Sequence, residues 1–297
     1  MRGMSRSYRA YKQWSRFVLN CVNTSVSFIK IVIQSRRSEK LPLPNGDRCL
    51  VLGNGPSLSV SIQKHPEYFN QYPAICINMF SLSKEYTQHR PLHYVIVDPY
   101  FWQSDDVNIG NAINAIRNKT NWNMHLMIPH AAKKFTQISA FENHPFIKLH
   151  YFNYVVYKGF PRIGHFFFRH NIAMIQSSNV LVTALFLSIN LGYKRVELFG
   201  ADHSWHEQID VDHDNHLFVK DLHFYDDETE VKAVPFTALH LPDPLKMDET
   251  FDLWARVFYS YRLIRNYAES RGCKIFNASE KSYIDAFDRI RIGESQK

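Results

Sequence analysis

From residue 41 onward the chain alternates short apolar runs with longer stretches of helical periodicity. Runs of strand type occupy 48–52, 74–78, 93–98, 125–128, 147–152, 195–199 and 274–276. They are short, rich in Val, Ile, Leu and Phe, and mostly followed by Gly, Pro, Asn or Asp, which is how buried strands read. Apolar residues recur at helical spacing over 105–118, 180–191 and 248–270, the last through Phe251, Trp254, Phe258, Tyr261 and Ile264. Ser177 or Ser178 is placed to cap the second of these helices. Such alternation predicts an α/β fold, a Rossmann-like and mostly parallel sheet with helices on both faces. No repeat or low-complexity segment interrupts it.

Charge divides the chain in two. Residues 1–40 carry nine basic side chains against Glu39 alone, a net +8 out of the total of +7, so the remainder is near neutral at −1. A basic tail on a neutral body argues against a nucleic-acid binder. The expected organisation is a basic, aromatic tail over 1–40 and one domain over 41–297, with a lid at about 203–247. The uncharged run 17–29 is half polar and reads as too short and too polar to span a bilayer, and no signal-peptide pattern is convincing. Rings interleaved with arginines suit a helix lying on an anionic membrane surface; packing on the body or on a partner is the competing reading. The four cysteines are far apart and form no C-x-x-C pair, so neither zinc nor a disulfide framework is indicated, and a reducing cytoplasm fits.

Polar residues gather where strands end. "CLVLGNGPSL" breaks a strand at Gly53-Asn54-Gly55, with Ser57 at a helix start. "CINMF" ends one at Asn78, "YVIVDPYFW" at Asp98, and "VELFGADHSW" at Gly200, Asp202, His203 and Ser204. Parallel sheets bind ligands beyond their carboxyl ends. Glycines there would let backbone N–H groups approach a phosphate, and a helix N-terminus would favour its charge. The spacing matches neither G-x-G-x-x-G nor the Walker pattern, and a tight turn binding nothing is the plain alternative.

These blocks, with "SSNVLVTALFLSINLGYKRVELFGADHSW", occur in the order found in bacterial sialyltransferases of glycosyltransferase family 42. They also resemble the related group named after the archaeal hydroxymethylpterin pyrophosphokinase. The resemblance covers roughly 48–202. It implies a GT-A-variant fold with a lid insertion and a transferase using an activated sugar, commonly a CMP-sugar such as a nonulosonate, without a required metal. By that resemblance Asn54, Asn78, Ser177 and Ser178 would face the nucleotide, and Asp98 stands where the family keeps an asparagine. Ser204 replaces a family tyrosine that stabilises the leaving phosphate, and Tyr225 of the lid is a candidate substitute. These departures leave other sugars and nucleotides open.

The lid region holds several histidines among carboxylates. Asp210, Asp212 and Asp214 offer an Asp-x-Asp pattern that could hold a divalent ion against a diphosphate; a polar lid whose charge is solvated is the simpler account. The resemblance puts a general base between lid and C-terminal helix, which selects His240, with His203 as competitor. The expected protein is therefore a cytoplasmic glycosyltransferase, peripheral at the inner face of the cell membrane, joining a nucleotide-sugar donor to a glycan or glycolipid acceptor of a bacterial surface polysaccharide. A pterin pyrophosphokinase using ATP and magnesium, and a non-catalytic nucleotide-sugar-binding protein, remain alternatives.

Overall fold

The computed structural model describes residues 6–37, 40–220, 223–224, 234–235 and 243–292. The chain runs through α1 (Arg6–Gln34), β1 (Arg48–Leu52), α2 (Ser57–Lys64), α3 (Pro66–Gln71), β2 (Ala74–Ile77), α4 (Glu85–His89), β3 (His93–Val95) and α5 (Tyr100–Gln103). It continues through α6 (Val107–Lys119), β4 (Met124–Pro129), α7 (Thr136–Ser139), β5 (Ile147–Phe152), α8 (Pro161–Arg169), α9 (Val180–Leu191) and β6 (Arg195–Phe199). Next come β7 (Ile209–Val211), β8 (Leu217–Val219), β9 (Val234–Pro235), α10 (Met247–Ser270), β10 (Lys274–Asn277) and β11 (Asp288–Arg289).

Eight strands form one sheet in the order β11-β10-β6-β1-β2-β3-β4-β5, every pairing parallel. The two faces follow from a period of two. Cys49 and Val51 of β1 point into a core with α9 and α10, whereas Leu50 and Leu52 point into a second core with α2 and α6. This is the predicted Rossmann-like α/β arrangement. The chain winds outward from β1 to β5 and then returns to the other side of β1 as β6, so the winding reverses between β1 and β6. A crevice opens at the carboxyl ends there. Within 203–247 the described residues form a small antiparallel sheet, β7-β8-β9.

Two strand ends are shorter than their apolar pattern. β2 stops at Ile77 because Asn78 takes a left-handed φ of 44° and starts a 3-10 turn. β3 keeps three residues before its chain leaves toward α5.

The basic tail differs more. α1 is one helix of 29 residues, and the segment Ala10–Gln34 has the length and composition to cross a membrane, contrary to the expectation from 17–29 alone. Its second half lies on the body through hydrogen bonds. Ser27 Oγ donates to the Lys158 carbonyl at 2.9 Å, and Ser35 Oγ donates to the Ile172 carbonyl at 2.6 Å. A Cβ on Gly159 would fall 2.2 Å from Thr24 Oγ1, so that glycine permits the close approach.

His93 and His125, near the amino ends of β3 and β4, form a row with His150 from the middle of β5. His93 Nε2 pairs with the Tyr193 hydroxyl at 3.0 Å, and His125 Nδ1 with His150 Nε2 at 2.9 Å. Burial pulls His93 down to about 3 and His150 to about 4, neighbouring positive charge adding to the effect. Both folded values lie below the ordinary 6.5. The stability these neutral rings contribute is therefore complete above about 6.5 and is lost as pH falls toward 3–4, because the unfolded chain takes up the protons first. The urea midpoint is expected to fall between pH 7 and pH 5, a window above the carboxylates. An unchanged midpoint across that window would refute the assignment.

Candidate functional site

The loops after β1 and β6 touch backbone to backbone. The Gly53 N–H donates to the Phe199 carbonyl and the Gly55 N–H to the Gly200 carbonyl, both at 2.8 Å. A Cβ on Gly53 would stand 2.4 Å from Gly200 O, and one on Gly200 would stand 2.7 Å from Gly53 O. The glycines are needed because two chain segments cross here, not to admit a phosphate. Their N–H groups are already satisfied, which corrects the reading of Gly53 and Gly55 as phosphate donors.

The start of α2 is likewise occupied from within. Asp202 accepts from the Ser57 N–H at 2.9 Å and from Ser57 Oγ at 2.5 Å. Its carboxylate fills the place an anion takes at a helix N-terminus. Burial pushes the Asp202 carboxyl up, while the two bonds from Ser57 and the charge of Lys281 pull it back. Ser57 and Asp202 therefore hold the two loops together.

What remains open is a cleft of about 220 Å³ bordered by Asn54, Ile77, Asn78, Asn179, Asp202, His203, Ser204, Trp205, Gln208 and His223. Two of these residues carry amide oxygens, Asn54 Oδ1 and Asn78 Oδ1, that are buried without a hydrogen-bond partner, a state shared among the described residues by His89 Nε2, His93 Nδ1 and His150 Nδ1. Buried polar atoms are rarely left so, at a cost of roughly 1–3 kcal/mol each. Asn78 and His203 also hold left-handed backbones, with φ of 44° and 51°. Such strain collects at functional sites.

His203 is enclosed by Trp205, Phe258 and Tyr261, and its Nε2 pairs with the Tyr261 hydroxyl at 2.8 Å. Burial pulls it down to about 3, so the ring is neutral near pH 7. No lysine or arginine is among the described residues of the cleft wall.

Other sequence candidates lie elsewhere. Asp98, Ser177 and Ser178 are not among the described residues bordering the cleft. Asp98 Oδ1 accepts from the Tyr100 N–H at 3.0 Å, and Ser177 Oγ bonds to Thr183 at 2.9 Å. Neither serine caps α9; Asn179 does, accepting from the Leu181 N–H at 2.7 Å. Asn179 stands beside the serines in sequence and is as good a cap former as serine, so the sequence left three adjacent candidates. Trp205, Gln208 and His223 carried none. His240 and Tyr225 lie outside the described residues. Of the carboxylates proposed for metal, Asp212 and Asp214 sit with His216 at the exposed β7–β8 turn, ligand atoms within 4.8 Å of one another. Asp212 there accepts from the N–H groups of Asp214 and His216, as in an ordinary polar turn.

The crossing of the loops is testable by stability. Gly53→Ala and Asp202→Ala should each cost about 1–3 kcal/mol, the first by overpacking and the second by stranding Ser57. Gly110→Ala in α6, with nothing within 4 Å of the added Cβ, should be neutral or stabilising. Denaturant midpoints decide it, and a Gly53→Ala protein as stable as its parent would refute the crossing.

No protein family model and no curated protein matches this sequence. Among solved structures the fold is similar to that of the MAf glycosyltransferase from Magnetospirillum magneticum AMB-1, with a TM-score of 0.50 and 13% identity. The likeness covers 86% of this chain and 35% of the other, so this chain spans about a third of that protein's length. At that identity the similarity establishes a shared α/β fold.

Proposed function

We propose that the chain is a glycosyltransferase that takes its sugar from a nucleotide-activated donor bound at the β1/β6 crevice. The observation that carries the proposal is the pair of buried, unpartnered amide oxygens of Asn54 and Asn78 on one cleft wall. An acceptor oxygen in that state calls for a donor on the ligand: a ribose hydroxyl or the amino group of a base such as cytosine. The neighbouring Trp205, lying over His203, offers flat apolar surface for a ring. The fold shared with a glycosyltransferase points the same way.

A CMP-type donor suits this cleft better than ATP. The described wall supplies amides, rings and the Asp202 carboxylate but no lysine or arginine to balance a triphosphate. At about 220 Å³ it is smaller than the roughly 300–1,000 Å³ of small-molecule sites, enough for part of the donor. In the reaction an acceptor hydroxyl oxygen bonds to the anomeric carbon as the bond from that carbon to the phosphate oxygen breaks. The electron pair leaves with the phosphate, and the hydroxyl proton passes to a base, worth roughly 10²–10⁴-fold. His203 is a poor base, being buried, neutral and bonded to Tyr261. His240 is the assignment. The acceptor is a glycan or glycolipid at the inner face of the membrane.

Thermal shift with CMP, CMP-sugars, UDP and ATP with magnesium tests the donor class, and stabilisation by ATP with magnesium alone would favour a pyrophosphokinase. Asn54→Ala and Asn78→Ala should each weaken binding of the stabilising nucleotide about tenfold, for a lost bond of ~1.4 kcal/mol; the Asn54 variant should keep the melting temperature of the free protein, whereas Asn78→Ala should lower it, because alanine is strained at a left-handed φ of 44°. Unchanged affinity in both would remove the cleft from the donor site. With a donor in hand, His240→Ala should abolish transfer and keep donor binding, whereas His203→Ala should weaken binding as well. Near-normal transfer by the His240 variant would overturn that assignment.

A further inference from the structure

α1 is turned inside out relative to a soluble amphipathic helix. The face it lays on the body mixes hydroxyls with Ile31, which is buried in the core, and with Phe17 and Phe28, which pack on Phe160 and Phe167. Thr24 pairs with the Tyr157 hydroxyl at 3.1 Å and accepts from the Phe160 N–H at 3.2 Å, and Ser27 bonds both backbone groups of Lys158. Its outward face carries Trp14, Val22, Val26, Ile29, Val32 and Ile33, each 47–68% exposed. A helix in water does the reverse. The hydrogen bonds keep its second half on the protein, so lipid can meet the outward face while the helix stays in the membrane plane. A second copy is a poor cover for that face, because two segments of +8 would be brought together.

Where α1 ends, a groove of about 960 Å³ opens beside it on the carboxyl side of the sheet. Ile33 of the outward face borders it, together with Arg36, His130, Lys133, Lys134 and Tyr154. Its wall contains no carboxylate among the described residues. The Arg36 guanidinium donates to the Ile33 and Ser35 carbonyls, and the ammonium groups of Lys133 and Lys134 lie over the Tyr151 and Phe135 rings, so none of the three charges is neutralised by an acid there. Burial lowers His130, and the charges of Lys133 and Arg36 add to that, which marks a concentrated positive field.

The groove shares one edge of the sheet with the donor cleft. Its His130 follows β4 and its Asn153 follows β5, while Asn78 follows β2 and Asn54 follows β1. At roughly 4.8 Å per strand the two sites are about 10–19 Å apart. Asp98, at the end of β3, lies between them in strand order.

We propose that this basic groove holds the phosphate of a membrane lipid that carries the sugar acceptor, with α1 lying in the bilayer surface by its outward face. The phosphate sits against Arg36, Lys133 and Lys134, the tail follows Ile33 into the bilayer, and the glycan extends past β3 toward the donor. The inference rests on the glycosyltransferase reading for the word acceptor; the lipid-phosphate site itself stands on the groove.

The test uses the full chain and vesicles of phosphatidylcholine alone, or with phosphatidic acid as the phosphomonoester lipid. Flotation should show binding at least tenfold tighter with phosphatidic acid. Lys133→Glu with Lys134→Glu should remove that preference while leaving the melting temperature and the nucleotide response of the cleft unchanged. Val22→Asn with Ile29→Asn, both outside the groove, should lose vesicle binding but still bind soluble dodecyl phosphate. Equal binding by the charge-reversed protein would overturn the proposal. So would inorganic phosphate binding as tightly as dodecyl phosphate, or a lipid-free dimer through α1 that ignores vesicles. Nucleotide response is read separately on the same sample; its absence beside intact lipid binding would count against glycosyl transfer and leave the lipid-phosphate site standing.

Discussion

The contact on which the rest depends is the crossing of two loops with no side chain between them. The segments after β1 and β6 meet at Gly53, Gly55 and Gly200, where any Cβ would fall within 2.8 Å of the opposite backbone or of Asp202. This crossing sits where the winding of the sheet reverses, so it sets the floor of the crevice. It also brings Asp202 onto the first turn of α2 through Ser57. With that helix terminus satisfied from within, the open hydrogen-bonding capacity of the crevice moves to the side chains of Asn54 and Asn78. A ligand there is recognised by amides and rings rather than by a ring of backbone N–H groups.

The two ends of the sheet do different work. On the amino side, His93 and His125, with His150 from within β5 and with Tyr193, are linked through one ring nitrogen each, while the Nδ1 atoms of His93 and His150 are buried without a partner; this row serves stability. At the carboxyl ends lie the strained Asn78 and His203, the unpartnered amides and the basic groove. Polar groups left open cost stability, and a parallel sheet tolerates them where its strands end and its loops diverge. Glu197, buried in β6 yet bonded to Tyr68 and Arg195, shows the contrasting case of a charge whose partners are all supplied by the protein.

α1 joins the body by a different logic from the other helices. The sheet helices bury apolar faces in two continuous cores. α1 contributes Ile31 to one of them but is otherwise fastened by hydroxyls on backbone groups of Lys158, Phe160 and Ile172, and Gly159 lets the backbones approach. Its orientation is therefore set by hydrogen bonds, and its apolar side is left facing outward.

Strand and helix alternation was readable in the sequence because a buried parallel strand must be apolar on both faces and short. The runs at 48–52, 147–152 and 195–199 coincide with β1, β5 and β6 for that reason. The strand-end residues Asn54, Asn78, Asp202 and His203 were readable too, since polar residues that stop an apolar run in such a fold fall at its carboxyl edge. What each does there was not. Whether a glycine N–H is free for a phosphate depends on which chain segment lies opposite, and β6 arrives from more than 140 residues away. The same holds for Ser57, which its pairing with Asp202 turns to loop fastening, and for Asp98, which the order of strands sets two places from β1. The sequence by itself determined that α1 would be basic, aromatic and helical. Only the tertiary structure decided which side of it meets the protein, because that choice lies in hydroxyls at Thr24, Ser27 and Ser35 finding backbone partners that are distant along the chain.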